Sequence, residues 1–69
     1  MLKIKKARKK VGLTQLQLAK KVGINREYLS RIENNHSNPS LELLREIANA
    51  LEVSVKDLIE DEIVSIPYR

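Results

Sequence analysis

One stretch of this chain leaves very little freedom in how the rest can fold: Gln15-Leu-Gln-Leu-Ala-Lys-Lys-Val-Gly-Ile-Asn-Arg-Glu-Tyr-Leu-Ser-Arg-Ile-Glu-Asn34. Counted from Gln15, apolar or small residues fall at places four, five, eight, nine, ten, fifteen and eighteen, namely Leu18, Ala19, Val22, Gly23, Ile24, Leu29 and Ile32. Leu18 and Val22, four apart, share one face of a first short helix. Ala19 sits where a second helix must cross closely, and a larger side chain there would push the two apart. Gly23 lets the backbone turn with positive φ. Ile24 plugs the turn into the core, and Leu29 and Ile32 form the inward face of the second helix.

The flanking segments extend the helical reading. Leu2 to Val11 is expected as a first helix, with Ile4, Ala7 and Val11 as a narrow inward stripe. Gly12 ends it and Leu13 drops into the core. Thr14 is the expected N-cap of helix two, with Gln17 as capping-box partner, and helix two runs to about Val22 with Leu16 partly exposed. Asn25 caps helix three, Arg26 to about Asn34. Asn35-His-Ser-Asn-Pro reads as a polar loop. Ser40 then caps helix four, which runs to Leu51 with Leu41, Leu44, Ile47, Ala48 and Leu51 inward. Ser54, with Asp57 three residues on, starts a short helix five carrying Val55, Leu58 and Ile59. The expected fold is all-α, a compact five-helix bundle. Residues 1–60 form the domain. Residues 61–69, with Ile63, Val64, Ile66 and Tyr68, are a β-prone tail suited to dimerisation or packing.

These residues together resemble the helix-turn-helix of the phage-repressor/Cro-like (Xre-type) family. All seven structural places match, and so do Gly12 to Gln15 (Gly-Leu-Thr-Gln), Arg31 to Asn34 (Arg-Ile-Glu-Asn), Asn38 to Ser40 (Asn-Pro-Ser) and Ala50 to Ser54 (Ala-Leu-Glu-Val-Ser). The likeness covers Ile4 to Ile59. It implies a lambda-repressor-like bundle in which helices two and three are the DNA-binding motif.

Composition narrows the classes. Sixty-nine residues make one small domain. With no Cys, Phe or Trp, the core is aliphatic, and neither a disulfide nor a thiolate zinc site staples it. No apolar run approaches a membrane span and no signal-peptide core is visible, so a cytoplasmic protein with no membrane association is expected. The net charge of +4 is unevenly spread: through Asn35 there are ten Lys or Arg against Glu27 and Glu33, and from His36 onward three against seven acids. A basic half carrying the two-helix motif and an acidic half behind it suit a phosphate-facing side and a far side, although a lysine-rich helix is also simply soluble.

A helix fits the major groove when its back is held and polar side chains project from its first turns. Helix three offers Arg26, Glu27, Ser30 and Arg31 as base-contacting candidates. Arg26 and Arg31 can donate two-pronged bonds to guanine, and Glu27 can accept from a cytosine amino group. On an arbitrary amphipathic helix these residues would be no more than its solvated face. The resemblance further implies phosphate contacts at Gln15, Asn25 and Asn34. The amides beside Thr14 at the start of helix two also suit an anion, and His36 and Asn35 are placed to extend the grip. Thr14, Asn25 and Asn34 serve equally as helix caps. Tyr28 can pack its ring or aim its hydroxyl at a phosphate. The family likeness also implies a partly buried structural ion pair between Arg8 and Glu33.

The expected function is a sequence-specific DNA-binding transcriptional regulator, a repressor by preference, acting as a homodimer on double-stranded DNA with a palindromic operator. The alternative is an antitoxin or protein-interaction module on the same fold, favoured by the acidic rear and the apolar tail. An enzyme finds no support: there is no Cys, no paired histidine and no glycine-rich phosphate loop, and a lone loop His36 makes a poor base or ligand. No metal, cofactor or small-molecule ligand is expected.

Overall fold

The computed structural model describes residues 2–59. Four α-helices follow in order: α1 (Ile4–Lys10), α2 (Gln15–Val22), α3 (Arg26–Glu33) and α4 (Leu41–Leu51), then a single 3-10 turn at Val55–Leu58. None of the helices is long and apolar enough to cross a membrane. Helices of 7 to 11 residues are too short to persist alone in water, so each is held by its ends and by the core.

The N-terminal caps are local. Thr14 Oγ1 accepts from the Gln17 N–H at 3.0 Å while Gln17 Oε1 accepts from the Thr14 N–H at 2.8 Å, closing a capping box on α2. Asn25 Oδ1 accepts from the Tyr28 N–H at 2.7 Å to cap α3, and Ser40 Oγ accepts from the Leu43 N–H at 3.0 Å to cap α4. The C-terminal ends share one device. After each helix a residue takes a left-handed backbone, at Gly12 (φ 81°), Gly23 (φ 78°), Asn35 (φ 63°) and Glu52 (φ 59°). The residue that follows donates its N–H five residues back: Leu13 to Arg8, Ile24 to Ala19, His36 to Arg31 and Val53 to Ala48. This Schellman closure satisfies orphan carbonyls, and it turns Leu13, Ile24 and Val53 against the core.

Ile4, Leu18, Leu29, Ile32, Ile47, Leu51 and Leu58 are fully buried, with Ala19 and Ala48 where helices approach closely. Helix α2 packs on both α3 and α4, and α4 also holds α1 and the 3-10 turn. Fully burying an aliphatic side chain of this size is worth about 1.5–3 kcal/mol, so seven such residues are the main cohesive force in a domain without staples.

Four expectations are corrected. The fifth helix is only the four-residue 3-10 turn: Ser54 donates both its N–H and its hydroxyl to Asp57 Oδ2, and the chain then leaves extended at Ile59. Helix α1 starts at Ile4, because Leu2 forms an antiparallel bridge with Ile59 and the Lys3 N–H donates to the Leu58 carbonyl at 2.7 Å. Val11 and Ile59 are not inward: Val11 lies beyond the last turn of α1 and is 49% exposed, and Ile59 is 41% exposed at that bridge. Leu41 is 58% exposed, because the direction set by Leu44, Ile47, Ala48 and Leu51 lies about 70° around the helix from it. Leu16, in contrast, is half exposed as its position outside the stripe requires. The boundary expected after residue 60 and the tail 61–69 lie outside the described residues.

A Cβ on Gly23 would meet nothing within 4 Å, so a substitution there is strained by its φ of +78° rather than by crowding. Gly23→Ala is expected to lower stability by about 1–2 kcal/mol, and Glu52→Gly, at the same left-handed position of α4, to raise it by about 1 kcal/mol. Denaturant midpoints of the two variants check both signs. The Ser54 hydroxyl and amide also hold the exposed Asp57 carboxyl below its ordinary value. A carboxylate with a lowered folded pKa stabilises above its ordinary value and loses that contribution as pH falls through the folded one. The melting temperatures of wild type and Asp57→Ala should therefore differ near neutral pH and converge in strong acid.

Candidate nucleic-acid interface

Helix α3 is fixed from behind. Leu29 and Ile32 are fully buried, and Glu33 is buried beside them. At 100° per residue this leaves Glu27 and Arg31 pointing directly outward, with Arg26 and Ser30 on the flank that faces α2. Arg26, Glu27 and Arg31 are exposed, and Ser30 is half-buried. The side chains of Arg26 and Glu27 keep 50% and 71% of their surface in water, and their 3.8 Å contact is a loose surface pair worth little. Arg31 lies over the Tyr28 ring at 5.6 Å from its centroid, which preorganises the guanidinium on a half-buried aromatic platform.

A polar chain, buried at its Arg8–Glu33 end and open to solvent at Arg26, links the two ends of α3. Arg8, on α1, donates from Nε to Glu33 Oε2 at 2.7 Å and from Nη2 to Oε1 at 3.2 Å, and its Nη1 donates to the Leu13 carbonyl at 2.8 Å. Gln15, the first residue of α2, donates from Nε2 to the same Glu33 Oε1 at 2.9 Å. Its Oε1 in turn accepts from Arg26 Nη1 at 3.5 Å, at the start of α3. The Arg8 and Glu33 side chains are 8% and 1% exposed, and among the described residues no buried side-chain nitrogen or oxygen lacks a partner. A forked, fully satisfied arrangement is what a buried pair needs to offset its desolvation.

The residues expected at phosphates divide by how they are engaged. Thr14 and Asn25 use acceptor oxygens for their caps, so the Thr14 hydroxyl proton and the Asn25 amino group remain to donate outward. Gln15 is half-buried, with one amide hydrogen on Glu33. Asn34 donates to the Ser30 carbonyl at 2.9 Å and reaches Ser30 Oγ at 3.4 Å, so a phosphate contact would require it to leave its own helix. That contact also partly covers Ser30. Tyr28 packs its ring against the core cluster. His36 is exposed just past α3, and Asn35 Oδ1 accepts from the Leu2 N–H at 3.4 Å. The internal role of Gln15 carries no periodic signal, because it is 18 positions from Glu33 and only the fold makes them neighbours, whereas Asn34 turns back on Ser30 one helical turn earlier. Among the described residues no group of acidic or histidine side chains is arranged to hold a metal.

Removing Glu33 would strand the Arg8 guanidinium in the core, which costs about 3–5 kcal/mol. Removing Glu27 disturbs one exposed contact, within about 0.5 kcal/mol. Thermal melts of Glu33→Ala and Glu27→Ala should thus separate widely, at about 4–8 °C per kcal/mol for a domain of this size. Equal midpoints would show that the pair contributes nothing.

Comparison with known proteins adds to this geometry. Residues 4–58 match the family model described as Helix-turn-helix. The chain is 43% identical over 60 residues to the immunity repressor protein of Bacillus phage phi105, covering 87% of this chain and 42% of that protein. It is 39% identical over 61 residues to the HTH-type transcriptional regulator SinR of Bacillus subtilis, covering 87% of this chain and 55% of SinR. The chain thus spans about half the length of these curated relatives. A crystal structure of SinR in complex with DNA superposes with a TM-score of 0.76 at 41% identity, covering 83% of this chain and 92% of that one.

Proposed function

The chain belongs to the helix-turn-helix family of phage-repressor-like regulators, and on that footing we propose that it binds double-stranded DNA sequence-specifically and regulates transcription, with α3 in the major groove. The observation that carries the proposal is a polar edge (Arg26, Glu27 and Arg31) left exposed on a helix whose opposite face is wholly buried. A relative at 41% identity has been crystallised with DNA in the same fold. Arg26 and Arg31 donate to guanine edges, Glu27 accepts from a cytosine amino group, and Ser30 adds a short contact. Thr14, Gln15 and Asn25 hold phosphates at the two helix starts, with the Tyr28 hydroxyl in the first turn of α3, His36 past its end, and Asn34 once its amide leaves the Ser30 carbonyl.

A single module of this size buries little surface on DNA, so specific affinity requires two copies. The protein acts as a homodimer on a palindromic operator whose half-sites lie about 34 Å apart, one helical turn. Its mechanism is occlusion of a promoter, and therefore repression, in the cytoplasm; no bond is made or broken. The interaction-module alternative predicts no retention of random DNA even at low salt.

Selection of bound sequences from a random duplex pool defines the operator. On that operator Arg26→Ala or Arg31→Ala should cost about 1–3 kcal/mol and relax preference at one base position, whereas removing a phosphate contact weakens all sequences alike. Equal losses on operator and random DNA would show that the two arginines do not read bases.

A further inference from the structure

Helix α1 is built against its own stability. It has no acid in its first turn, and Lys5, Lys6, Lys9 and Lys10 are all exposed. Every pair of exposed charges at helical spacing within α1 is like-charged: Lys5 with Lys9, Lys6 with Lys9 and Lys6 with Lys10. The positive end of the helix dipole adds to the repulsion at Lys5 and Lys6. An anion is what would relieve this arrangement.

The lysines do not all face the same way. Arg8 points from α1 to Glu33 at the end of α3. Measured from Arg8 at 100° per residue, Lys5 and Lys9 lie about 60° and 100° around, on the side away from Ala7, and Lys6 and Lys10 about 160° and 200°. Lys5 and Lys9 border a shallow open groove with Leu2, Lys3 and Lys6, and the Leu2 N–H reaches Asn35 in the loop leaving α3. Lys10 borders a different groove, with Lys3, Lys6, Ala7, Val53 and Asp57, where a carboxylate already offsets part of the charge.

We propose that Lys5 and Lys9 form a second phosphate-binding surface, which takes the sugar-phosphate backbone of the duplex just beyond the exit of α3, while Lys10 faces away from DNA and Lys6 stands between the two grooves. The inference rests on the DNA-binding reading above and deepens it. The helical rise sets Lys5 and Lys9 about 6 Å apart along α1. That separation, with flexible four-carbon stems, lets the two ammonium groups reach neighbouring phosphates of one strand. The surface lies outside the base-reading edge, so it adds affinity and fixes register without adding sequence preference.

The test compares two double variants of the full chain with equal change in charge, K5Q/K9Q and K6Q/K10Q, on a random-sequence duplex. Each phosphate contact contributes about 0.9 to the slope of log affinity against log salt. K5Q/K9Q should flatten the slope by about 1.8 for two lost contacts, and K6Q/K10Q by less than half as much. Equal flattening in both variants, or none in K5Q/K9Q, overturns the proposal. Both variants should melt no lower than wild type, since glutamine keeps helix propensity and removes repulsion. A second readout needs no variant: bound duplex should protect the Lys5 and Lys9 amines from acetylation and leave that of Lys10 reactive, and uniform protection overturns the proposal. Wild type that binds no duplex at any salt overturns the parent reading first, and this one with it.

Discussion

The carboxylate of Glu33 is the point at which three helices are joined. It accepts two bonds from Arg8 on α1 and one from Gln15 on α2, and it stands on the last turn of α3. An aliphatic core gives cohesion but little direction, because Leu and Ile side chains repack at small cost. A buried forked pair has one good geometry, and its failure leaves a charge in the core. The aliphatic contacts therefore press α3 against the body, and the polar chain decides where along the body it stops. Because Gln15 reaches both Glu33 and Arg26, the two ends of α3 are referred to the same side chain.

The rest of the scaffold is a way of making short helices sufficient. Seven to eleven residues give two or three turns, so helix ends make up most of each helix. Caps at Thr14, Asn25 and Ser40 and left-handed closures at Gly12, Gly23, Asn35 and Glu52 satisfy most of those ends within the chain. After three of the helices the closing residue is Leu13, Ile24 or Val53 and goes into the core. After α3 it is His36, which stays in solvent. The closure that turns the chain inward elsewhere turns it toward the outer surface next to the exposed edge of α3.

Much of this was legible because periodicity and capping are local. Leu18, Ala19, Leu29 and Ile32 announce buried faces by spacing, and Gly23 announces its turn by residue type. The misreadings have a common physical origin. Val11 and Leu41 fit a stripe by counting, but one lies beyond its helix and the other on the flank of the inward direction. Asn35 falls in the stretch legible as a polar loop, but nothing in the residue type announces the turn at Glu52, since a left-handed glutamate is costly and is sustained by the Val53 N–H on the Ala48 carbonyl and by the packing of Val53. Leu2 left its expected helix because Ile59, 57 residues later, offers it a backbone partner. The role of Gln15 as an internal donor depends on a neighbour, Glu33, that only the folded chain supplies.

The charge distribution gains its meaning from this geometry. A uniformly basic domain would be attracted to a duplex in any orientation, and most encounters would present the wrong face. Here ten of the thirteen Lys and Arg precede His36, on the helices that include the exposed edge, and seven of the nine acids follow it. Glu42, Glu46, Glu52 and Asp57 are exposed on α4 and the turns after it. The acids stand beside lysines away from the edge of α3, Glu46 beside Lys21 and Asp57 beside Lys3, Lys6 and Lys10, so their field offsets basic charge there and leaves the α3 edge the more attractive to phosphate. A small rigid module with little area to bury gains that bias at no cost to its core, because Glu42, Glu46, Glu52 and Asp57 all lie on the surface. Glu33, the one buried acid among the described residues, is withdrawn from this field by Arg8 and serves the scaffold alone.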